Sequence, residues 1–274
     1  MSLENIIKKT EKLSTRKSLS EDFIRIGLRK GDNVIVHSSL SSIGWVCGGP
    51  VAVIQALMDA VTESGTIIMP THSDDYSDPA LWENPPIPEE WVDIVKETMP
   101  AFDPKITPTF GMGAIVECFR TFHNVLRSNH HNVSFAAWGK NSNEIIQNHS
   151  LDFGLGEGSP LARLYDLDAK VILLGTTYED NTSFHLCEYR AGNYEETTCS
   201  APIMSDGKRV WKEFKEIDFK TELFYLLGKD FEQESDVTIN YIGEAKSKLF
   251  NQKKAVDFGV KWFEKYYGRC NKST

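Results

Sequence analysis

The sequence predicts a mixed α/β fold in a single domain over residues 1–274, with an antiparallel β appendage in the C-terminal third. Three observations carry that prediction. Short apolar runs closed by Gly or Pro alternate with segments of helical period, the pattern of strands interleaved with helices. Asp206-Gly207, flanked by two β-like runs, is a two-residue hairpin signal late in the chain. No internal repeat or low-complexity linker interrupts the chain, whose 274 residues are within the reach of one large α/β domain.

Each element has its local reason. The charged N-terminal stretch carries an apolar face at helical spacing, and Lys30-Gly31-Asp32 then turns into the apolar strand Asn33 to His37. Gly48-Gly49-Pro50 opens a helix over Val51 to Val61, with Pro50 suited to the first helical position. Gly65 to Met69 is a second strand, closing at Pro70-Thr71-His72. Residues 73–108 are polar, Pro-rich and mostly aperiodic, and a connection that long inside a compact domain is usually functional. Helices are expected over Gly111 to Phe122 and Ser142 to His149, with a strand at Ser134 to Trp138. Ser159 caps a helix starting at Pro160, and Lys170 to Leu174 is a third strand. A short helix follows over Thr182 to Ala191, then the hairpin Ala201 to Ser205 and Lys208 to Phe214. The chain closes with a helix near Phe219 to Phe231, a short strand near Val237, and an amphipathic helix from Lys253 to Tyr267.

Composition narrows the function classes. Hydrophobic residues make up 41% and charged residues 25%, which excludes a disordered chain. The net charge of -9 and the lack of a strong basic block make nucleic acid a poor partner. The same charge suits a cationic small molecule, since carboxylate-lined clefts concentrate positive ligands, but ordinary surface charge for solubility explains it equally well. No secretory h-region and no apolar window of membrane-spanning length is present, so the expected location is the cytoplasm, away from membranes. Cys47, Cys118, Cys187, Cys199 and Cys270 are scattered and odd in number, which predicts neither disulfides nor a zinc site.

Four groups of residues could carry chemistry. His37-Ser38-Ser39-Leu40 at a strand end, with Gly48-Gly49 before a helix, offers free backbone N–H groups of the kind that bind phosphate, although a plain βα turn looks the same. His185 and Glu188 stand at i and i+3 of one helix, so they share a face, and a carboxylate there can orient an imidazole as a general base. A surface histidine beside an unrelated glutamate gives the same spacing. Cys187 falls roughly 200° around the helix from His185, at about 100° per residue. His130 and His131, after Arg127, lack a clear third metal ligand and suit loop positioning. His72 with Asp74, Asp75 and Asp78 is either a solvated loop or a clamp for ammonium groups.

The stretches HSSLSSIGWVCGG (37–49), GTIIMPT (65–71), DPALWENPPIPEEW (78–91), TPTFGMG (107–113), FRTFHNVLRSNHHNVSFAAWGK (119–140), GEGSPLARL (156–164) and LLGTTYEDNTSFHLCEYRA (173–191) together resemble the aminoglycoside 3-N-acetyltransferase family. The resemblance implies an α/β/α layered fold particular to that family. It implies acetyl-CoA as donor, the 3-amine of a 2-deoxystreptamine aminoglycoside as acceptor, and antibiotic resistance as the outcome; no metal is expected, because the carboxylates and histidines lack a convincing ligand set. His185 matches the family's catalytic histidine, and Glu188 is carried over with it. The resemblance places His37, Ser38, Ser39, Leu40, Gly48, Gly49, Thr107, Met112 and Ser159 around the CoA, and His72, Asp74 and Asp75 are candidates for the acceptor. A homodimer is compatible with it. The chain departs from the family at His123 and His131, where proline is frequent.

The expected mechanism is direct transfer to the amine, with His185 taking its proton and Cys187 facing away. Two alternatives stand beside it: a CoA-binding family member with another amine acceptor, and a serine hydrolase built on the HSSL serines. The Gly-x-Ser-x-Gly elbow that would favour a hydrolase is absent.

Overall fold

A computed structural model describes residues 3–270. In chain order its elements are α1 (Leu3–Lys9), α2 (Arg16–Ile26), β1 (Asn33–Ser38), α3 (Gly49–Val61), β2 (Thr66–Pro70), α4 (Val92–Thr98), α5 (Gly113–Phe119), β3 (Leu126–Arg127), β4 (Phe135–Gly139) and α6 (Ser142–Ile146). There follow α7 (Pro160–Asp166), β5 (Lys170–Leu174), α8 (Ser183–Ala191), β6 (Glu196–Ser205), β7 (Lys208–Ile217), α9 (Phe224–Glu234), β8 (Thr238–Ile242), β9 (Ala245–Asn251) and α10 (Gln252–Cys270). Seven strands form one sheet in the order β3-β4-β2-β1-β5-β9-β8, and β6 with β7 forms a separate two-stranded sheet.

The sheet is buried on both faces because its central strands each carry a continuous apolar run, at residues 34–36, 67–69 and 171–174. Strand side chains alternate between faces, and here each face meets its own helices. Val34, Val36, Ile67, Met69, Ile172 and Leu174 pack with α2, α3 and α5 through residues such as Phe23, Leu57 and Phe119. Ile35, Ile68, Val171 and Leu173 pack with α6 to α10 through Ile145, Leu164, Leu186, Phe231 and Phe263. The result is the three-layer α/β/α arrangement. The adjacent pairs β1–β2 and β1–β5 are parallel, and β4 and β9 pair antiparallel on either side of these three strands.

The expected hairpin is present and longer than its sequence signal, with ten residues in each strand. Its turn holds Asp206 and Gly207 at φ 50° and 74°, as a type I′ turn requires. Several boundaries differ from expectation for local reasons. The helix expected from Gly111 starts at Gly113, since both glycines take positive φ, and it ends at Phe119. The helix expected to reach His149 stops at Ile146, before the left-handed Asn148. Segment 73–108 contains α4, whose residues are nowhere fully buried, and two 3₁₀ turns at Pro79–Leu81 and Glu89–Trp91. Strand β9 carries little sequence signal, because in AKSKLFN the alternate positions turned to one face are Ala, Ser and Leu set between lysines.

Cys47, Cys118, Cys187 and Cys199 are free thiols, and the side chain of Cys270 lies outside those described. Among the described residues no helix is long and apolar enough to cross a membrane.

Candidate functional site

The parallel strands β1, β2 and β5 end side by side. In an open α/β sheet the crevice beyond the carboxyl ends of such strands, where the chain departs to both sides of one strand, is the usual ligand position. Here β1 has β2 on one side and β5 on the other, and Ser38 stands level with Leu174. At or just beyond these ends lie His37-Ser38-Ser39, Thr71-His72 and Gly175-Thr176. Gly175 has φ 68°, and a Cβ there would come within 2.6 Å of the Ser42 Cβ and 3.0 Å of the Ala245 Cβ. Only glycine lets β5 turn away at that point.

A cavity of about 260 Å³ opens at this edge, lined by His37, Ser38, His72, Met112, Thr176 and His185 among others. A wider opening of about 630 Å³ adjoins it; the two share Ser38, Met112 and Thr176, and Ser39 and Leu40 line the wider one. A larger concavity of about 870 Å³ lies between α9 and α10, against Asp230, Trp262 and Tyr266, and includes none of these side chains. The strand-end crevice is the candidate site, because of these cavities it is the one that gathers unpaired polar atoms beside a histidine–carboxylate pair.

The pair comes from α8. His185 Nδ1 lies 2.8 Å from Glu188 Oε2, as the i, i+3 spacing requires. The other Glu188 oxygen accepts the Lys220 backbone N–H at 2.6 Å, and the glutamate side chain is only 2% exposed. A carboxylate can only accept, so it holds the proton on Nδ1 and leaves the lone pair on Nε2. The imidazole is wedged between aromatic rings, with centroids 4.3 Å from Phe219 and 4.8 Å from Phe224. One hydrogen bond, to a carboxylate itself held by the Lys220 N–H, and two rings therefore set its orientation.

Around it stand groups without partners. His37 Nε2, Ser38 Oγ, His72 Nε2 and Thr176 Oγ1 are buried and make no hydrogen bond among the described residues. Buried polar atoms are rarely left so, and such a cluster marks a place where a ligand or ordered water completes the bonding. Burial pushes His37 down to about 3. His72 is also held at about 3, by burial first and then by the nearby His185, His37, His149 and Arg127. Both imidazoles are neutral at physiological pH.

Not every residue expected at the site converges there. Gly48, Gly49, Thr107 and Ser159 line neither cavity. Gly48, exposed, and Gly49, half-buried, sit at the start of α3. The Thr107 hydroxyl accepts the Asp103 N–H at 3.0 Å, and Ser159 is the fully buried cap of α7. Asp74 and Asp75 are exposed on the loop after β2 and likewise line neither cavity. Both carboxyls are raised, by partial desolvation and, for Asp74, by its neighbour Asp75. Asp78 is occupied inside the protein: it caps the 79–81 turn and bonds Lys96 at 2.7 Å and Ser200 at 3.1 Å. Glu179 and Asp180 do line both cavities and were missed. Their only sequence signal is the Thr177–Asp180 capping box, which reads as a helix start.

Cys187 is fully buried, and burial drives its thiol well above the ordinary range. A Cβ at Gly259 of α10 would come within 2.3 Å of its sulfur, so the thiol is packed beneath that helix.

Fold and site together define a three-layer α/β enzyme whose histidine–carboxylate pair faces a crevice at the sheet's carboxyl edge. Residues 35–264 match the model of the aminoglycoside 3-N-acetyltransferase family, and the chain belongs to that acyltransferase family. It is similar to the SPbeta prophage-derived aminoglycoside N(3′)-acetyltransferase-like protein YokD of Bacillus subtilis (strain 168), 52% identical over 262 residues that cover 95% of this chain and 96% of that protein. The YokD crystal structure superposes with a TM-score of 0.94, covering 95% of this chain and 97% of that one. The structure of AAC-IIIb in binary complex with CoASH gives 0.84 at 29% identity, covering 93% and 98%. AAC-VIa bound to sisomicin gives 0.84 at 27% identity, covering 93% and 99%.

Proposed function

We propose that this protein transfers the acetyl group of acetyl-CoA to the 3-amino group of a 2-deoxystreptamine aminoglycoside, with His185 as general base and Glu188 holding it in place. The observation that carries this is the bond from His185 Nδ1 to a buried Glu188, which leaves Nε2 as an acceptor on a residue lining the cavity. The related AAC-IIIb in binary complex with CoASH and AAC-VIa bound to sisomicin support this choice of donor and acceptor class.

An aminoglycoside amine is mainly protonated near neutral pH, and only its neutral form attacks a thioester. The amine nitrogen adds to the thioester carbonyl carbon and gives its proton to His185 Nε2. The C–S bond then breaks, and the imidazolium returns the proton to the leaving sulfur. General base assistance of this kind is worth roughly 10²–10⁴-fold. The unpaired groups at the strand ends, Ser38 and Thr176 hydroxyls above all, are placed in the same cavity to receive the carbonyl oxygen as it becomes negative. In this reading Ser38, Ser39, Leu40 and Met112 border the thioester end of CoA, and Asp74 and Asp75 attract the drug's remaining ammonium groups from outside. Because Cys187 is sealed away from the crevice, transfer is direct.

The test is CoA release from acetyl-CoA with a panel of 2-deoxystreptamine aminoglycosides and simpler amines. Release with the aminoglycosides, and a 3-N-acetylated product by mass spectrometry and NMR, supports the proposal. Binding of CoA without release on any aminoglycoside overturns the acceptor. Release without an amine would point instead to a hydrolase.

A further inference from the structure

Arg127 belongs to the two-residue strand β3, at the edge of the sheet, yet its guanidinium turns inward and each of its three nitrogens donates. Nη2 donates to the Thr71 carbonyl at 2.7 Å and to Ser73 Oγ at 2.9 Å. Nη1 donates to the Thr107 carbonyl, and Nε to Ser134 Oγ at 2.9 Å and Thr71 Oγ1 at 3.2 Å. The cation lies 5.0 Å from the centre of the Phe102 ring. Burial, assisted by Arg120 and opposed by Glu117, pulls its pKa down to about 10. All of its hydrogen-bond acceptors named above are neutral carbonyls and hydroxyls.

A half-buried cation that bonds only neutral acceptors is an expensive way to tie two loops, so the identity of those loops matters. Thr71 and Ser73 bracket His72, and Thr107 begins the segment that runs to Gly111 and Met112. His72 and Met112 both line the cavity with His185. Two further bonds cross between the same segments: Phe110 N–H to the His72 carbonyl at 2.9 Å, and Ser73 Oγ to the Pro108 carbonyl at 2.8 Å. The flat, forked guanidinium reaches Thr71, Ser73 and Thr107 at once; an ammonium on a single stem cannot reach all three in that geometry.

We propose that Arg127 is a positioning residue of the transfer site, tying the His72-bearing end of β2 to the 107–112 segment and so setting the width of the cavity opposite His185. It touches no substrate. Its kinetic consequence rests on the acetyl-transfer reading above, where a misplacement of about 1 Å costs on the order of 10²-fold.

The experiment compares wild type with Arg127→Lys and Arg127→Ala by amide hydrogen exchange and by steady-state acetylation. In Arg127→Lys, protection at Ser73 and Phe110 should fall together while β5 is unchanged. Its kcat should drop on the order of 10²-fold with the acetyl-CoA KM within a few-fold, and added guanidinium should restore part of the kcat of Arg127→Ala. Unaltered protection at both amides, or wild-type kcat in folded Arg127→Lys, overturns the proposal. Should Arg127→Ala fail to fold, the lysine variant decides alone. The exchange measurement needs no turnover, so a wild type that acetylates nothing would sink the reaction and still leave Arg127 decided by exchange.

Discussion

Two groups of histidines in this molecule show how one side chain is put to opposite uses. His185 lines the crevice and bonds a buried carboxylate. His130, His131 and His149 are buried in a stack under the β6–β7 hairpin: successive ring centroids are 4.7 Å apart, and His131 lies 4.7 Å from Phe214 of β7. Their partners are neutral. His131 Nδ1 donates to the Tyr76 carbonyl at 2.9 Å, His149 Nε2 to the Gly154 carbonyl at 2.6 Å, and His130 Nδ1 accepts the Val133 N–H at 3.0 Å. Burial takes His131 and His149 down to about 4. A carboxylate beside an imidazole compensates the charge it gains with a proton; carbonyls and stacked rings in a dry interior compensate it far less. The first environment suits the base proposed above, and the second makes a prop.

The largest effect is expected at His185. His185→Ala should retain CoA binding by calorimetry and lose about 10²–10⁴-fold in kcat for amine acetylation. Undiminished acetylation at neutral pH would place His185 with the props. Glu188→Gln tests the partner: kcat should fall by a smaller factor, on the order of 10- to 100-fold, the range met when the group orienting a metal-bound imidazole is removed. A loss equal to that of His185→Ala would mean that Glu188 does more than orient.

The stacked histidines should reveal themselves in stability instead. Their folded pKa lies below the unfolded value near 6.5, so the unfolded chain binds more protons between pH 6.5 and about 4. Their contribution is complete above pH 6.5 and is lost as the pH falls through that window, by up to about 3 kcal/mol for each of His131 and His149. Denaturant midpoints from pH 7 to 5 should fall, and His131→Phe should flatten that decline while leaving kcat nearly unchanged. An unchanged slope in the variant would remove His131 from the account.

The smallest effect is expected at Cys187, one residue before Glu188. Cys187→Ala should keep kcat within about twofold and lose on the order of 1 kcal/mol of stability through a small cavity. An inactive but folded variant, with acetyl-cysteine trapped in the wild type, would favour a covalent route over direct transfer.

Much of the site was legible before the structure because its central pair is local. The interval between His185 and Glu188 guarantees a shared helical face, and the i+2 position of Cys187 guarantees a different one. Strands β1, β2 and β5 announced themselves as apolar runs, and Asp206-Gly207 as a turn. Elsewhere local pattern was misleading. Asp78 looked like an ammonium ligand beside Asp74 and Asp75, but a lysine 18 residues later and a serine on β6 already hold it. Thr177 and Asp180 form a capping box, and nothing in that signal says that the loop faces the crevice.

What the sequence alone determined is therefore which residues share a face: the strands, most of the helices, the hairpin turn, and a histidine with its carboxylate. Family resemblance added the reaction they were expected to serve. Only the tertiary structure decided which distant segments meet. His37, His72 and His185 reach one cavity because the sheet order sets β1 between β2 and β5, and because α8 starts just beyond the end of β5. Arg127 ties Thr71 to Thr107, and Phe219 covers the imidazole, through contacts that span tens of residues. Periodicity reports the orientation of a side chain relative to its neighbours in the chain, whereas convergence depends on strand order and loop path, which no local repeat encodes.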